Sequence, residues 1–88
     1  MDFNTILQVQ VQGYPSRMKS YLVGREEDRY LILKIPSVVG NPEEIFAKDK
    51  ELTVRYVHQG SVFGFRTSIM LTVIDSFNVV FVNSPKKI

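Results

Sequence analysis

His58 is the only histidine in a chain that has no cysteine. Any Ser-His-Asp relay would have to run through that one imidazole, and thiolate nucleophiles, zinc thiolate sites and disulfides are excluded. His58 adjoins Gln59-Gly60, a turn by residue type, where an exposed imidazole is ordinary and has no implied catalytic or metal-binding role. Glu26, Glu27 and Asp28 supply three carboxylates, the ligand type a hard cation takes. Consecutive side chains in a hairpin do not converge on one ion, so a solubilising turn is expected. Glycine-rich phosphate loops, HExxH and CxxC patterns are absent. The expectation is a protein that is not an enzyme, with no catalytic residue, no metal and no cofactor.

Two arginines have more to offer. Arg55 and Arg66 fall on neighbouring strands, each on the side opposite the apolar residues. There they form either a small anion site across the ladder or exposed neighbours of carboxylates such as Glu51, and the second reading is preferred. Tyr56, Phe63 and Phe65 are strand-borne aromatics of the kind single-strand nucleic-acid binders stack bases on. They also lie on the inferred core face, so packing is their expected task and no nucleic acid is expected as a partner. Lys86 and Lys87 close the chain as a basic pair, which reads as a solvated tail or linker.

The elements that hold these residues are strands. Thr5 to Gln12 alternates, with Leu7, Val9 and Val11 on one side and Gln8, Gln10 and Gln12 on the other, the period of a half-buried strand. Gly13 to Ser16 turns the chain into a second strand, about 17–24, with Met18, Ser20 and Leu22 on one face. A charged connection, Arg25 to Asp28, leads into a third, about 29–35, with Leu31, Leu33 and Ile35 together. These two should pair antiparallel. Pro36 ends the third strand because it has no N–H for a ladder. Asn41-Pro42-Glu43-Glu44 reads as a cap, a first-turn proline and two carboxylates suited to a helix N-terminus. One short helix to about Lys48 is predicted, with Ile45 and Phe46 plugging an open end of the sheet.

Glu51 to Gln59 alternates again, with Leu52, Val54 and Tyr56 on one face. Ser61 to Ile74 is the longest predicted strand, with Phe63, Phe65, Thr67, Ile69, Leu71 and Val73 as its heavier apolar face. That length exceeds the usual strand of about five or six residues, so the strand should bend and serve two sheets, with Gly64 as the expected bulge. Phe77 to Asn83 is apolar at alternate and intervening positions alike, which predicts burial on both faces. The fold class is therefore all-β with one short helix: six antiparallel strands in a small closed or nearly closed barrel.

At 88 residues, 44% hydrophobic and 23% charged, the chain has room for one core. Net charge is +2, too small for a strong electrostatic pull on nucleic acid or membranes. The longest apolar stretch, Ile69 to Ile74, is far short of the roughly 20 residues of a bilayer span. No basic stretch followed by an apolar one opens the chain, so no secretory signal is read and the cytoplasm is the expected location.

Five stretches occur in a suggestive order: Ser20-Tyr21-Leu22-Val23-Gly24, Tyr30-Leu31-Ile32-Leu33 with Pro36, Val54-Arg55-Tyr56-Val57, Gly60 through Thr67, and Val80-Phe81 with Pro85. Together they resemble the PilZN domain, the N-terminal module of YcgR-like flagellar brake proteins, over nearly the whole chain. The resemblance implies a split β-barrel over 1–84, with 85–88 as the start of a linker or tail. It implies an accessory half for a PilZ domain, on the same chain beyond Ile88 or on a separate one, that binds cyclic di-GMP through RxxxR and DxSxxG motifs. Arg25 to Arg29 fits RxxxR literally, but three carboxylates separate its arginines, and no DxSxxG follows. Cyclic di-GMP is thus expected only through the PilZ half.

The expected function is a non-enzymatic regulatory and interaction module in the control of flagellar motility or surface attachment. Candidate partners are the PilZ domain, flagellar motor proteins and a second copy of the chain. Arg55, Arg66, Lys86 and Lys87 are the candidate domain-interface residues. The alternatives are a flavin-binding split barrel and an oligonucleotide-binding small barrel.

Overall fold

A computed structural model describes residues 4–74 and 77–85. Lys86 and Lys87 lie outside the described residues. Six strands, β1 (Ile6–Val11), β2 (Met18–Glu26), β3 (Tyr30–Lys34), β4 (Glu51–His58), β5 (Ser61–Val73) and β6 (Val79–Asn83), surround one core, with α1 (Pro42–Ile45) between β3 and β4. All six pairings are antiparallel, and the order β1-β2-β3-β6-β5-β4 closes on itself.

The closure depends on two strands that change partners. β2 pairs with β1 up to Tyr21 and with β3 from Leu22 onward, where a register shift between Leu22 and Gly24 turns it. β5 pairs with β4 from Ser61 to Ser68 and with β6 from Ile69 onward. A first sheet (β1, β4 and the leading halves of β2 and β5) thus passes continuously into a second (β3, β6 and the trailing halves). The expected bend in β5 is present, but not at Gly64. Gly64 stays in unbroken register opposite Arg55, and the irregularity falls between Ile69 and Leu71. One extra residue at a bulge exchanges the faces beyond it. Leu71 therefore points outward at 55% exposure, while Thr72 turns inward. The predicted apolar face of odd positions holds for Phe65 and Ile69 and fails beyond the shift, at Leu71 and Val73. Phe63, near the hairpin tip, is also partly exposed.

Alternation elsewhere does what its period requires. Leu7, Val9 and Val11 from β1, Leu22 from β2, Leu31 and Leu33 from β3, Leu52 and Val54 from β4, Ile69 from β5, and Val80 and Val82 from β6 are all buried in one cluster. Phe46, just past α1, is 1% exposed and plugs the barrel as expected. The helix ends at Ile45 rather than Lys48. Asn41 caps it, its Oδ1 accepting from the Glu43 N–H at 2.9 Å, and Pro42 opens the first turn. Thr72 Oγ1 donates to the Phe46 carbonyl at 2.6 Å and ties the plug to β5. Ser20, the one buried polar residue among those described, donates its hydroxyl to the Lys34 carbonyl. That bond offsets the cost of burying the hydroxyl. At the β4–β5 turn, Gln59 and Gly60 both have positive φ, 50° and 79°. Such a two-residue turn matches strand twist, and glycine takes it without a Cβ penalty.

β6 corrects another expectation. It begins at Val79, Phe77 precedes it at 68% exposure, and only Val80 and Val82 are fully buried. Val79 and Phe81 point outward and are half-buried. No helix among the described residues is long and apolar enough to cross a membrane.

Candidate functional site

The middle rows of the two sheets differ in the chemistry they turn outward. On the first, register places Lys19, Gln8, Arg55 and Gly64 side by side in one row. Gln10, Thr53 and Arg66 form the next, and Glu51 and Ser68 the one beyond. This is the solvated face that an antiparallel sheet normally carries. Arg55 and Arg66 share the face as the sequence implies, one row apart, but they border different grooves. Arg66 lines a groove with Gln10, Gln12, Glu51 and Tyr14. Arg55 lines one with Arg17, Lys19, Ile6, Val57 and Val62. Arg66 and Glu51 thus border the same groove, whereas no carboxylate lines the groove of Arg55.

On the second sheet the outer row is Ile32, Phe81 and Leu71, flanked by a row of Lys34, Val79 and Val73. Tyr30 adds its ring against Phe81, centroids 5.3 Å apart. Apolar side chains grouped on an outer sheet face are the kind of surface through which proteins associate. Sequence reasoning reads this strand as apolar on both sides and buries both; in the fold Val80 and Val82 enter the barrel core while Val79 and Phe81 face outward, half-buried.

The remaining candidates are unremarkable chemically. His58 is exposed, and its ring meets the edge of Phe63 at 6.2 Å. Glu26, Glu27 and Asp28 are exposed, with Asp28 at φ 63° in a turn closed by the Arg29 N–H donating to the Glu26 carbonyl. Among the described residues no three His, Asp or Glu side chains could jointly hold a metal ion. Tyr56 is buried, and burial raises its hydroxyl above the ordinary pKa of 10.0 by desolvating the phenolate. Phe63 stacks on it, centroids 5.6 Å apart and planes 21° from parallel. Phe65 packs against the core, so two of the three strand aromatics serve packing as expected and Phe63 does so in part.

A closed barrel in which two strands pass from one sheet to the other, with a largely polar outer row on one sheet and an apolar one on the other, narrows the field without naming a family. A protein-family model does so: PilZNR, described as flagellar protein YcgR, matches residues 2–85. The chain belongs to this family. The match spans every strand of the barrel, the short helix, and both outer faces. The resemblance carried by Val54-Arg55-Tyr56-Val57 and Gly60 through Thr67 therefore rests on the β4–β5 hairpin of a PilZNR domain. No curated protein matches the chain.

Proposed function

We propose that this PilZNR domain is a non-enzymatic regulatory and interaction module of a cyclic di-GMP-responsive PilZ protein, acting in the cytoplasm on flagellar motility or surface attachment. Family membership carries the reading, because the family is that of a flagellar protein. The outward apolar row Ile32, Phe81 and Leu71 supports it physically. An apolar sheet face gains roughly 25 cal/mol for each Å² it removes from water, and a PilZ domain, on the same chain or a separate one, is the body proposed to cover it. The Ser84 N–H donates to the Arg29 carbonyl and holds the chain against the second sheet just past β6. Arg55 and Arg66 lie on the other sheet and are candidates for contact with a further partner. In this scheme the second messenger binds the PilZ half.

The test is a titration of isotope-labelled chain with a PilZ domain that carries both nucleotide-binding motifs. The reading expects resonance shifts concentrated on Ile32, Leu71, Val73 and Phe81, and cyclic di-GMP heat only in samples that contain the PilZ domain. Saturable nucleotide binding to this chain alone would reject the division of labour.

A further inference from the structure

The ladder between β1 and β4 does not run the full length of either strand. It extends from Val11↔Leu52 to Gln8↔Arg55 and stops, while β4 continues along β5 to His58↔Ser61. β1 meanwhile continues along β2 to Ile6↔Tyr21. The start of β1 and the end of β4 therefore form the two walls of a split in an otherwise closed barrel, and a groove lies there. Its apolar lining is aliphatic at the surface: Ile6 is 57% exposed, Val57 64% and Val62 71%. The cations lining it are Arg17, Lys19 and Arg55, and none of its lining residues carries a carboxylate. The charged groups of these three side chains make no hydrogen bond or ion pair with any described residue.

We infer that this split binds an extended acidic segment of a partner protein, one whose aliphatic side chains seat on Ile6, Val57 and Val62 and whose carboxylates meet Arg17, Lys19 and Arg55. Charge complementarity selects the occupant: three unpaired cations around an apolar floor attract a ligand that is both anionic and aliphatic. Strand walls on either side favour an extended chain, the form that strand-lined grooves accept. Single-stranded nucleic acid fits less well, because base stacking needs an exposed ring and the aromatic of this groove, Tyr56, is buried. The groove belongs to the first sheet, so the inference stands independently of PilZ docking on the second.

The experiment uses this chain and a fluorescein-labelled peptide of alternating Glu and Val, with a Lys-for-Glu version as its counterpart. The acidic peptide should bind and shift the methyl resonances of Ile6, Val57 and Val62. Arg55→Glu and Lys19→Glu should each weaken it by about tenfold and improve binding of the lysine peptide, as charge pairing across a groove requires. Lys19 is exposed, so the second variant keeps the test decisive should Arg55→Glu fail to fold. Equal binding of both peptides, no binding of the acidic one, or shifts confined to Ile32, Leu71 and Phe81 would overturn the inference. So would tighter, Lys19-dependent binding of oligothymidine or of phosphatidylglycerol vesicles, which would assign the cations to nucleic acid or lipid.

Discussion

Gly64 stands directly across the β4–β5 ladder from Arg55, and a Cβ placed on it would lie 3.4 Å from Arg55 Cγ and 3.3 Å from the Val54 carbonyl oxygen. The bare backbone at Gly64 therefore leaves room for the Arg55 stem to lie across β5. Gly64→Ala should redirect that stem and weaken the acidic peptide less than Arg55→Glu does. Stability should change by no more than about 1 kcal/mol, since the tight contact opposes the entropy that alanine recovers. Peptide titration and thermal melting of the same variant check both halves.

The plug is the most sensitive part of the fold. Phe46 is 1% exposed, and Phe46→Ala should cost about 3–5 kcal/mol, a large share of the roughly 5–15 kcal/mol a small domain has. Thr72→Val keeps the shape but removes the bond to the Phe46 carbonyl, with an expected loss of about 1 kcal/mol. Urea unfolding of the two variants should rank them in that order, with Thr72→Val the milder.

Alkaline pH should expose the buried phenol. The Tyr56 pKa is raised in the folded chain by desolvation, so above its unfolded value of about 10 the unfolded state loses its proton first. Tyr56 therefore costs no stability below that pH, and stability declines as pH rises toward and through the folded pKa. The decline should be smaller in Tyr56→Phe, as read from unfolding midpoints between pH 9 and pH 11. Parallel declines in both proteins would mean that Tyr56 is not its source.

The apolar outer face should be neutral to folding and important to docking. Leu71 is 55% exposed, so Leu71→Lys should alter stability by about 0.5 kcal/mol or less. The same change should weaken PilZ-domain binding by about tenfold, because it sets a charge in the middle of the proposed contact. Calorimetric titration reads the second effect and thermal melting the first.

Strand by strand, what could be read from residue order was what period and turn chemistry determine locally. Leu7, Val9 and Val11 alternate with glutamines, and one buried face follows. Asn41-Pro42-Glu43 carries its own cap, and Gln59-Gly60 its own turn. The bulge near Met70 was not legible, because Ile69 through Val73 is apolar at nearly every position and no polar residue marks where the register slips. Gly64 drew the expectation of a bend because glycine weakens strands, yet its role is close approach to Arg55. The groove of Arg17, Lys19 and Arg55 was also hidden: three cations from two strands and a turn converge only once β1 and β4 part at Gln8 and Arg55.

The swimming speed of source cells at raised cyclic di-GMP, with and without residues 2–85 of this protein, tests the central claim most directly. A regulatory module of flagellar motility predicts that cells with the domain slow as the nucleotide rises and that cells without it keep their speed. Equal slowing in both would contradict the account.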